Sequence, residues 1–122
     1  MKSDYPIVEN IKCENLGSES IIIFCTTPDQ KTAQKIAQNL VENHLAACCN
    51  ILNEVKSVFN WQGKVQIENE CLMIVKSVSD KFKQIEKMII ELHPYEIPEI
   101  IATDISLGSA NYLNWIKENI RF

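Results

Sequence analysis

The chain has 122 residues, of which 46% are hydrophobic and 23% charged, and its formal net charge is −4. This length and composition predict one globular domain rather than a disordered chain. The acidic balance disfavours a general nucleic-acid binder, which needs a basic face. No apolar run reaches the ~18 residues of a membrane span, and the N-terminal residues lack the apolar core of a secretory signal. The sequence therefore predicts a cytoplasmic protein with neither nucleic-acid nor membrane partners.

Residues 1–18 mix charged and polar side chains with isolated apolar ones and predict an N-terminal extension. Residues 19–122 then form the single predicted domain. The apolar run at residues 21–25 predicts a first strand buried on both faces. Thr27, Pro28 and Gln30 predict a helix start with a capping box. Apolar residues at three- and four-residue steps continue this amphipathic helix towards His44.

The next segment predicts a long hairpin. Alternating apolar residues indicate a strand with one covered face, and they are Ile51, Val55, Phe59 and Trp61. Gln62-Gly63 predicts the turn, after which a second alternating strand continues to Val75. Because both strands are long, we expect the hairpin tip to reach beyond the domain body.

Apolar residues at helical spacing predict a second helix from Phe82 to Leu92, which must end before Pro94. Residues 99–105 predict a fourth strand, and a short terminal helix follows Ser109. The order βαββαβ predicts an α+β, ferredoxin-like domain with an antiparallel sheet and two helices on one face. One helix layer leaves the other sheet face partly uncovered, so we expect self-association.

The cysteines do not fit a disulfide framework. There are five of them, namely Cys13, Cys25, Cys48, Cys49 and Cys71. Pairing within one chain would leave a thiol over, no CxxC spacing occurs, and adjacent cysteines make a strained disulfide. Without a secretory signal the expected compartment is reducing. The sequence predicts free thiols, most of them acting as small buried side chains.

Five ordered motifs resemble the CutA family of divalent-cation tolerance proteins. They are residues 24–29 (FCTTPD), 45–48 (LAAC), 61–64 (WQGK), 91–100 (ELHPYEIPEI) and 112–115 (YLNW). The similarity extends over residues 20–118, and the HPYEIPE segment is its most specific part. The resemblance implies a ferredoxin-like fold assembled as a homotrimer, whose hairpins complete sheets across subunit boundaries. It also implies a link to copper and other divalent metals.

Three positions depart from the family pattern, two in the hairpin turn and one before His93. Many members have WWEG before the hairpin glycine, where this chain has Asn60-Trp61-Gln62-Gly63. A carboxylate and an indole are therefore missing from the hairpin tip. Leu92 stands where some members have a second histidine, and this removes an imidazole ligand.

The resemblance implies metal ligands at Cys25, His93 and Glu99. Sulfur and imidazole suit copper, and three such donors suit Cu(II), or Zn(II) with an open position. Each residue also has an ordinary structural explanation, as a buried spacer, a helix-terminating residue and a solvated strand start. No HxxxH or CxxC spacing indicates a preformed site. The sequence therefore predicts weak binding of copper, or of another divalent metal such as zinc, and no organic cofactor.

A second candidate site is a cleft between subunits that holds a small polar ligand. Its predicted residues are Trp61, Lys76, Tyr95 and Glu96. The prolines on either side of Tyr95 and Glu96 stiffen that loop and lower the entropy cost of presenting the two side chains. The alternative is that Tyr95 packs at a subunit interface and pairs through its hydroxyl group.

Catalysis has little support in the sequence, so we predict no catalytic residues. The chain has two histidines, and His44 near a predicted helix end is explained by the helix macrodipole. The three glycines are scattered and form no phosphate-binding loop. The alternative function is a trimeric signalling or scaffolding module that binds a small effector or a protein partner and uses no metal. Its fold resembles that of the trimeric nitrogen-regulatory signalling proteins, although fold alone does not establish function.

Overall fold

The structure is a computed structural model that describes residues 19–122. The predicted extension 1–18 and Cys13 lie outside the described residues. The elements are β1 (Ser20–Thr27), α1 (Gln30–Glu42), β2 (Cys48–Trp61), β3 (Lys64–Val78), α2 (Phe82–Leu92), β4 (Ile101–Asp104) and α3 (Ala110–Glu118). A short 3-10 turn, Ser79–Lys81, leads from β3 into α2. No helix within residues 19–122 is long and apolar enough to cross a membrane.

The four strands form one antiparallel sheet in the order β2-β3-β1-β4, as the ferredoxin-like prediction requires. One face of the sheet packs against α1 and α2. Fully buried side chains from both layers make the core, including Ile23, Met73, Ile36, Leu40 and Ile89. Burying each such side chain contributes about 1.5–3 kcal/mol, so this face supplies most of the hydrophobic stabilisation.

The terminal helix α3 packs at one end of the opposite face. Leu113, Ile116 and Ile120 bury themselves against Val78 at the end of β3. Ile22, Ile74 and other apolar residues further along this face remain partly exposed. The expectation that this face is partly uncovered is therefore correct for the described chain, with α3 as the partial cover.

The strand β2 contains a β-bulge that its sequence pattern did not predict. Leu52 pairs with Leu72, but Val55 pairs with Glu70, so the bulged strand carries one extra residue. Glu54 within the bulge adopts the left-handed conformation, with φ at +61°.

The bulge reverses which side chains of β2 face the helices. Directly paired residues share a face. Ile51, opposite buried Met73, therefore faces the helices, whereas Phe59, opposite Gln66, faces the other side. The prediction that Ile51, Val55, Phe59 and Trp61 share one face was wrong, because a one-residue shift inverts the alternation.

The start of α1 also differs from the prediction. The N-cap is Asp29, whose side chain accepts a hydrogen bond from the Thr32 amide at 2.7 Å. Thr27 is instead the buried last residue of β1, and its hydroxyl donates to the Asp29 carbonyl. Thr27 cannot cap the helix because its pairing with Cys71 holds it in the sheet.

The end of α1 is closed by His44, which adopts φ at +56°. The Leu45 amide donates to the Leu40 carbonyl and the His44 amide donates to the Val41 carbonyl. This pair of bonds is the Schellman arrangement that satisfies the last carbonyls of a helix. A backbone role therefore explains the position of His44.

The hairpin turn is the predicted Gln62-Gly63. Both residues have positive φ, +52° and +82°, the pattern of a type I′ turn. The Asn60 side-chain oxygen accepts a hydrogen bond from the Gly63 amide at 3.1 Å. Asn60, which departs from the family pattern, thus stabilises the turn.

We expect Gln62→Asn to raise the free energy of unfolding by about 0.5 kcal/mol, because asparagine tolerates left-handed φ better than glutamine. Gly63→Ala should have the opposite sign, since φ there is +82° and alanine is strained in that region. Urea unfolding at one fixed protein concentration measures both. A destabilising Gln62→Asn would contradict the type I′ assignment.

Candidate functional site

A groove of about 640 Å³ opens on the sheet face opposite α1 and α2. Its floor is the outer part of the β2–β3 hairpin, and its wall is the loop between α2 and β4. The pairing of Ser57 with Glu68 and of Phe59 with Gln66 places these four side chains on one face. The bulge in β2 is what directs Ser57 and Phe59 towards the groove.

His93 anchors the loop that walls the groove. It follows α2 in an extended conformation, as a residue before proline must. Its Nε2 lies 2.7 Å from the Thr26 carbonyl oxygen, and the Tyr95 amide donates to its Nδ1 at 3.1 Å. A carbonyl can only accept and an amide N–H can only donate, so Nε2 carries the proton and Nδ1 the lone pair. Both ring nitrogens of this 7% exposed side chain are therefore occupied.

Tyr95 crosses from the loop to the sheet. Its hydroxyl donates to Glu70 Oε2 at 2.8 Å, and its ring centroid lies 4.7 Å from that of His93. Desolvation, followed by the hydrogen bond to Glu70 and the negative charges of Glu70 and Glu68, raises the pKa of Tyr95 above its usual range. The hydroxyl thus stays protonated and continues to donate.

Cys25 lies on the helix side of the sheet, fully buried opposite Met73. Burial raises the pKa of its thiol to about 12, and the charges of Glu99 and Glu70 add to this effect. Its thiol contacts the Thr26 carbonyl. Metals bind the thiolate rather than the thiol, so the environment of Cys25 disfavours ligation.

The cysteines within residues 19–122 are all free, as predicted, and they are Cys25, Cys48, Cys49 and Cys71. Cys25 and Cys71 are buried, and Cys48 and Cys49 are partly buried. Burial also raises the pKa of Cys49 to about 12. Packing explains the positions of these thiols.

The described part of the chain contains no group of three or more His, Cys, Asp or Glu side chains placed to hold a metal ion. Glu99 lines the groove, Cys25 is a buried thiol on the helix side, and His93 has no free lone pair. The residues as arranged in one chain do not fit a preformed copper or zinc centre. Metal binding by these three residues stays a prediction.

The second candidate set is brought together in part. Trp61, Tyr95 and Glu96 all line the groove. Lys76 is not among the groove residues, because it pairs with Cys48 further along β3 and its Nζ contacts the Asn50 side-chain oxygen. Lys76 therefore does not share a site with Trp61, Tyr95 and Glu96 in this chain.

Sequence reasoning missed the carboxylates of the groove floor, Glu68 and Glu70. A signal for them existed, since Gln66, Glu68 and Glu70 are polar at every second position of β3. Period two puts such residues on one face, and here that face forms the groove floor.

Comparison with known protein families matches residues 21–119 to the CutA1 divalent ion tolerance protein family. The divalent-cation tolerance protein CutA of Thermus thermophilus is 40% identical over 98 residues, which cover 80% of this chain and 95% of that protein. The chloroplastic protein CutA of Arabidopsis thaliana is 37% identical, with 84% of this chain and 56% of that protein covered. The chain thus spans nearly all of the bacterial relative and little more than half of the plant one.

Solved structures agree with this match. CutA1 from Shewanella sp. SIB1 superimposes with a TM-score of 0.83 at 41% identity, covering 86% of this chain and 98% of that one. The Thermus thermophilus structure gives a TM-score of 0.82 at 38% identity, covering 84% and 99%. The resemblance of the sequence motifs is confirmed, and the chain belongs to the CutA1 divalent ion tolerance family.

Proposed function

We propose that the protein acts in tolerance to divalent cations as a homotrimer that binds copper weakly. Membership of the CutA1 family supports the tolerance role. The observation that carries the assembly is the apolar tip of the hairpin. Val58, Val65 and Ile67 are 64%, 71% and 63% exposed on one face, while Phe59 and Trp61 lie partly exposed on the other.

Exposed apolar side chains on both faces of a hairpin tip are typical of strands covered by a partner rather than of a free projection. Contiguous exposed apolar surface of this kind marks an interaction site. Copies of the same chain around a closed symmetry axis would cover both faces of the tip. The isolated tip is therefore expected to be buried in the assembly.

Weak rather than tight metal binding follows from the state of the predicted ligands. The thiol of Cys25 is protonated and buried, and both nitrogens of His93 are hydrogen-bonded. Glu99 faces the groove, where its negative charge attracts cations without a preformed ligand set. Copper is the proposed metal and zinc its proposed alternative.

Native mass spectrometry of the reduced protein, titrated with copper or zinc chloride, tests assembly and metal binding together. We expect a trimer that takes up copper and loses it on dilution. Glu99→Gln should weaken copper uptake, whereas the remote Glu42→Gln should leave it unchanged. A monomeric mass at micromolar concentration would contradict the assembly. Tight copper binding that disappears in Cys25→Ala would contradict the weak mode and would identify Cys25 as a ligand.

The second candidate function is a trimeric module that binds a small effector and needs no metal. The observation in its favour is the groove itself, which brings Trp61, Tyr95 and Glu96 together. A metabolite that raises Tm while copper and zinc do not would favour this function over metal tolerance.

Cytoplasmic location and the absence of enzymatic activity stay predictions. The free thiols of residues 19–122 suit a reducing compartment. Among the relatives, the Arabidopsis thaliana protein is named chloroplastic and a structure from Archaeoglobus fulgidus is named periplasmic. Family membership therefore does not assign this chain to one compartment.

A further inference from the structure

We propose that the groove of one copy of the chain is filled by the opposite face of the hairpin tip of the next copy. This inference rests on the proposed homotrimer and names the two surfaces that meet in it. It competes with the second candidate function, because a groove filled by a second copy has no room for a small effector. Charge, exposed apolar surface and symmetry each support it.

The surface that fills the groove lies on the helix side of the sheet, and we call it the apolar face of the tip. Its six side chains belong to three directly paired positions, namely Lys56–Asn69, Val58–Ile67 and Asn60–Val65. The three aliphatic side chains are 63–71% exposed. Lys56 is the one charged residue of this face, and it forms no ion pair within residues 19–122. The apolar face is therefore aliphatic and cationic.

The groove carries the opposite charge. Its carboxylates belong to Glu68, Glu70, Glu96 and Glu99, and no lysine, arginine or histidine of residues 19–122 lines it. Glu70 is 6% exposed, and its hydrogen-bond partner is the neutral hydroxyl of Tyr95. A buried carboxylate needs a cation to offset its desolvation cost. The second copy supplies that cation as its Lys56.

The aromatic rings of the groove match the aliphatic side chains of the apolar face. Phe59, Trp61 and Tyr95 line the groove and remain 40%, 39% and 36% exposed in one chain. When the apolar face of a second copy covers them, the rings and the aliphatic side chains leave water together, which is favourable. Both surfaces of the tip thus lose their exposed apolar area in one contact.

Charge also decides how the copies are arranged. In a two-fold dimer the same surface meets itself. Two grooves face to face would oppose glutamates to glutamates, and two apolar faces together would leave both grooves open. Groove against apolar face joins opposite charges, and such a head-to-tail contact generates a ring when its rotation closes. The two faces of the tip therefore favour a ring, such as the proposed trimer, over a two-fold dimer.

Val58, on the apolar face, provides the test, because aspartate and lysine there remove the same apolar contact and differ in charge. Val58 and Trp61 lie on opposite faces of their own hairpin, so a change at Val58 reaches Trp61 through a second copy. The chain has two tryptophans, and a Trp115→Phe background isolates the fluorescence of Trp61. We expect acrylamide to quench Trp61 weakly in this background and strongly once Val58→Asp is added.

Native mass spectrometry over a series of protein concentrations measures the trimer in the same samples. Val58→Asp should weaken the association at least about tenfold, because its carboxylate meets the glutamates of the groove. Val58→Lys should weaken it less, since its ammonium group meets opposite charge.

The ion pair is tested by Lys56→Gln and Glu70→Gln, each of which removes one charge. The glutamine at position 70 still accepts from the Tyr95 hydroxyl. Each variant should weaken the association by about tenfold. The double variant should weaken it no further, because both substitutions remove the same interaction. Glu42→Gln removes a charge from the exposed surface of α1 and should have no effect.

A trimer in which Val58→Asp changes neither the quenching of Trp61 nor the dissociation would overturn the proposal and leave the proposed assembly intact. Equal disruption by Val58→Asp and Val58→Lys would show that this face does not meet the acidic groove. Fully additive effects of Lys56→Gln and Glu70→Gln would exclude their ion pair. A natural chain that is monomeric at micromolar concentration would contradict the assembly itself, so the two failures are distinguishable.

Discussion

Above pH 9 the free energy of unfolding is expected to fall steeply with rising pH. Burial in the folded chain raises the pKa values of Cys25 and Cys49 from 9.0 to about 12. Below pH 9 both thiols are protonated in the folded and unfolded states, so their packing contributes fully. Between pH 9 and pH 12 the unfolded chain releases the two protons and the folded chain retains them. Stability is therefore lost across that window.

The expected effect is large. Each retained proton lowers the free energy of unfolding by about 1.4 kcal/mol per pH unit, so two thiols give roughly 3 kcal/mol per unit. Small domains have a total stability of about 5–15 kcal/mol. Desolvation also raises the pKa values of Tyr95 and Tyr112. These two hydroxyl groups therefore lower the free energy of unfolding further as the pH rises above their ordinary pKa of 10.0. We therefore expect alkaline unfolding well before pH 12.

Urea unfolding at a series of pH values and one protein concentration measures this slope. We expect each of the variants Cys25→Ala and Cys49→Ala to lower the free energy of unfolding at neutral pH. Above pH 9 each variant should also lose stability less steeply with pH, by the contribution of about one proton. Val75→Ala, at the residue paired with Cys49, removes core volume without a titratable group and should leave the slope unchanged. If neither cysteine variant flattens the slope, the thiols are not the cause.

Replacing His93 with alanine is expected to lower the free energy of unfolding by about 3 kcal/mol, since two buried hydrogen bonds lose their common partner. The Thr26 carbonyl and the Tyr95 amide would both be left without it. Tyr95 would also lose the ring against which it packs. The groove wall should then become mobile, and exchange of the Tyr95 amide hydrogen should accelerate.

Two isosteric variants separate the bonds made by His93. His93→Asn places an acceptor near the position of Nδ1, and His93→Gln places a donor near the position of Nε2. Each should cost less than alanine, because each keeps one of the two bonds. Urea unfolding and hydrogen exchange measure both. Equal stability of all three variants and the natural chain would show that His93 does not anchor the loop.

The topology could be predicted from the sequence because its periodicities are local. The apolar run of β1, the helical spacing of α1 and α2 and the Gln62-Gly63 turn each specify one element. The bulge at residues 53–54 could not be predicted, since the inserted residue breaks no composition rule and acts through pairing with β3. The prediction of Thr27 as the N-cap of α1 was wrong for a related reason. Thr27 and Asp29 are both good capping residues, and sheet pairing decided between them.

The site was predicted in part. The motifs put Tyr95 and Glu96 on one stiff loop and Trp61 at the hairpin tip, and all three line the groove. The engagement of His93 with Thr26 depends on contacts across 67 positions of the chain, which no spacing rule reveals. The apolar residues of β3 identify it as a strand, but Glu70 belongs to the polar positions that alternate with them. The apolar pattern therefore did not predict a role for Glu70.

The bulge in β2 divides one hairpin into two halves with opposite orientation. On the inner half, odd-numbered residues such as Ile51 belong to the core, while on the outer half Phe59 and Trp61, also odd-numbered, belong to the groove. The length of the strand, more than its composition, thus decides which side chains of the tip line the groove and which lie on the opposite face. Loss of a single residue there would exchange the two sides of the tip and leave the core unchanged. Substitutions in this hairpin are therefore far better tolerated in principle than insertions or deletions.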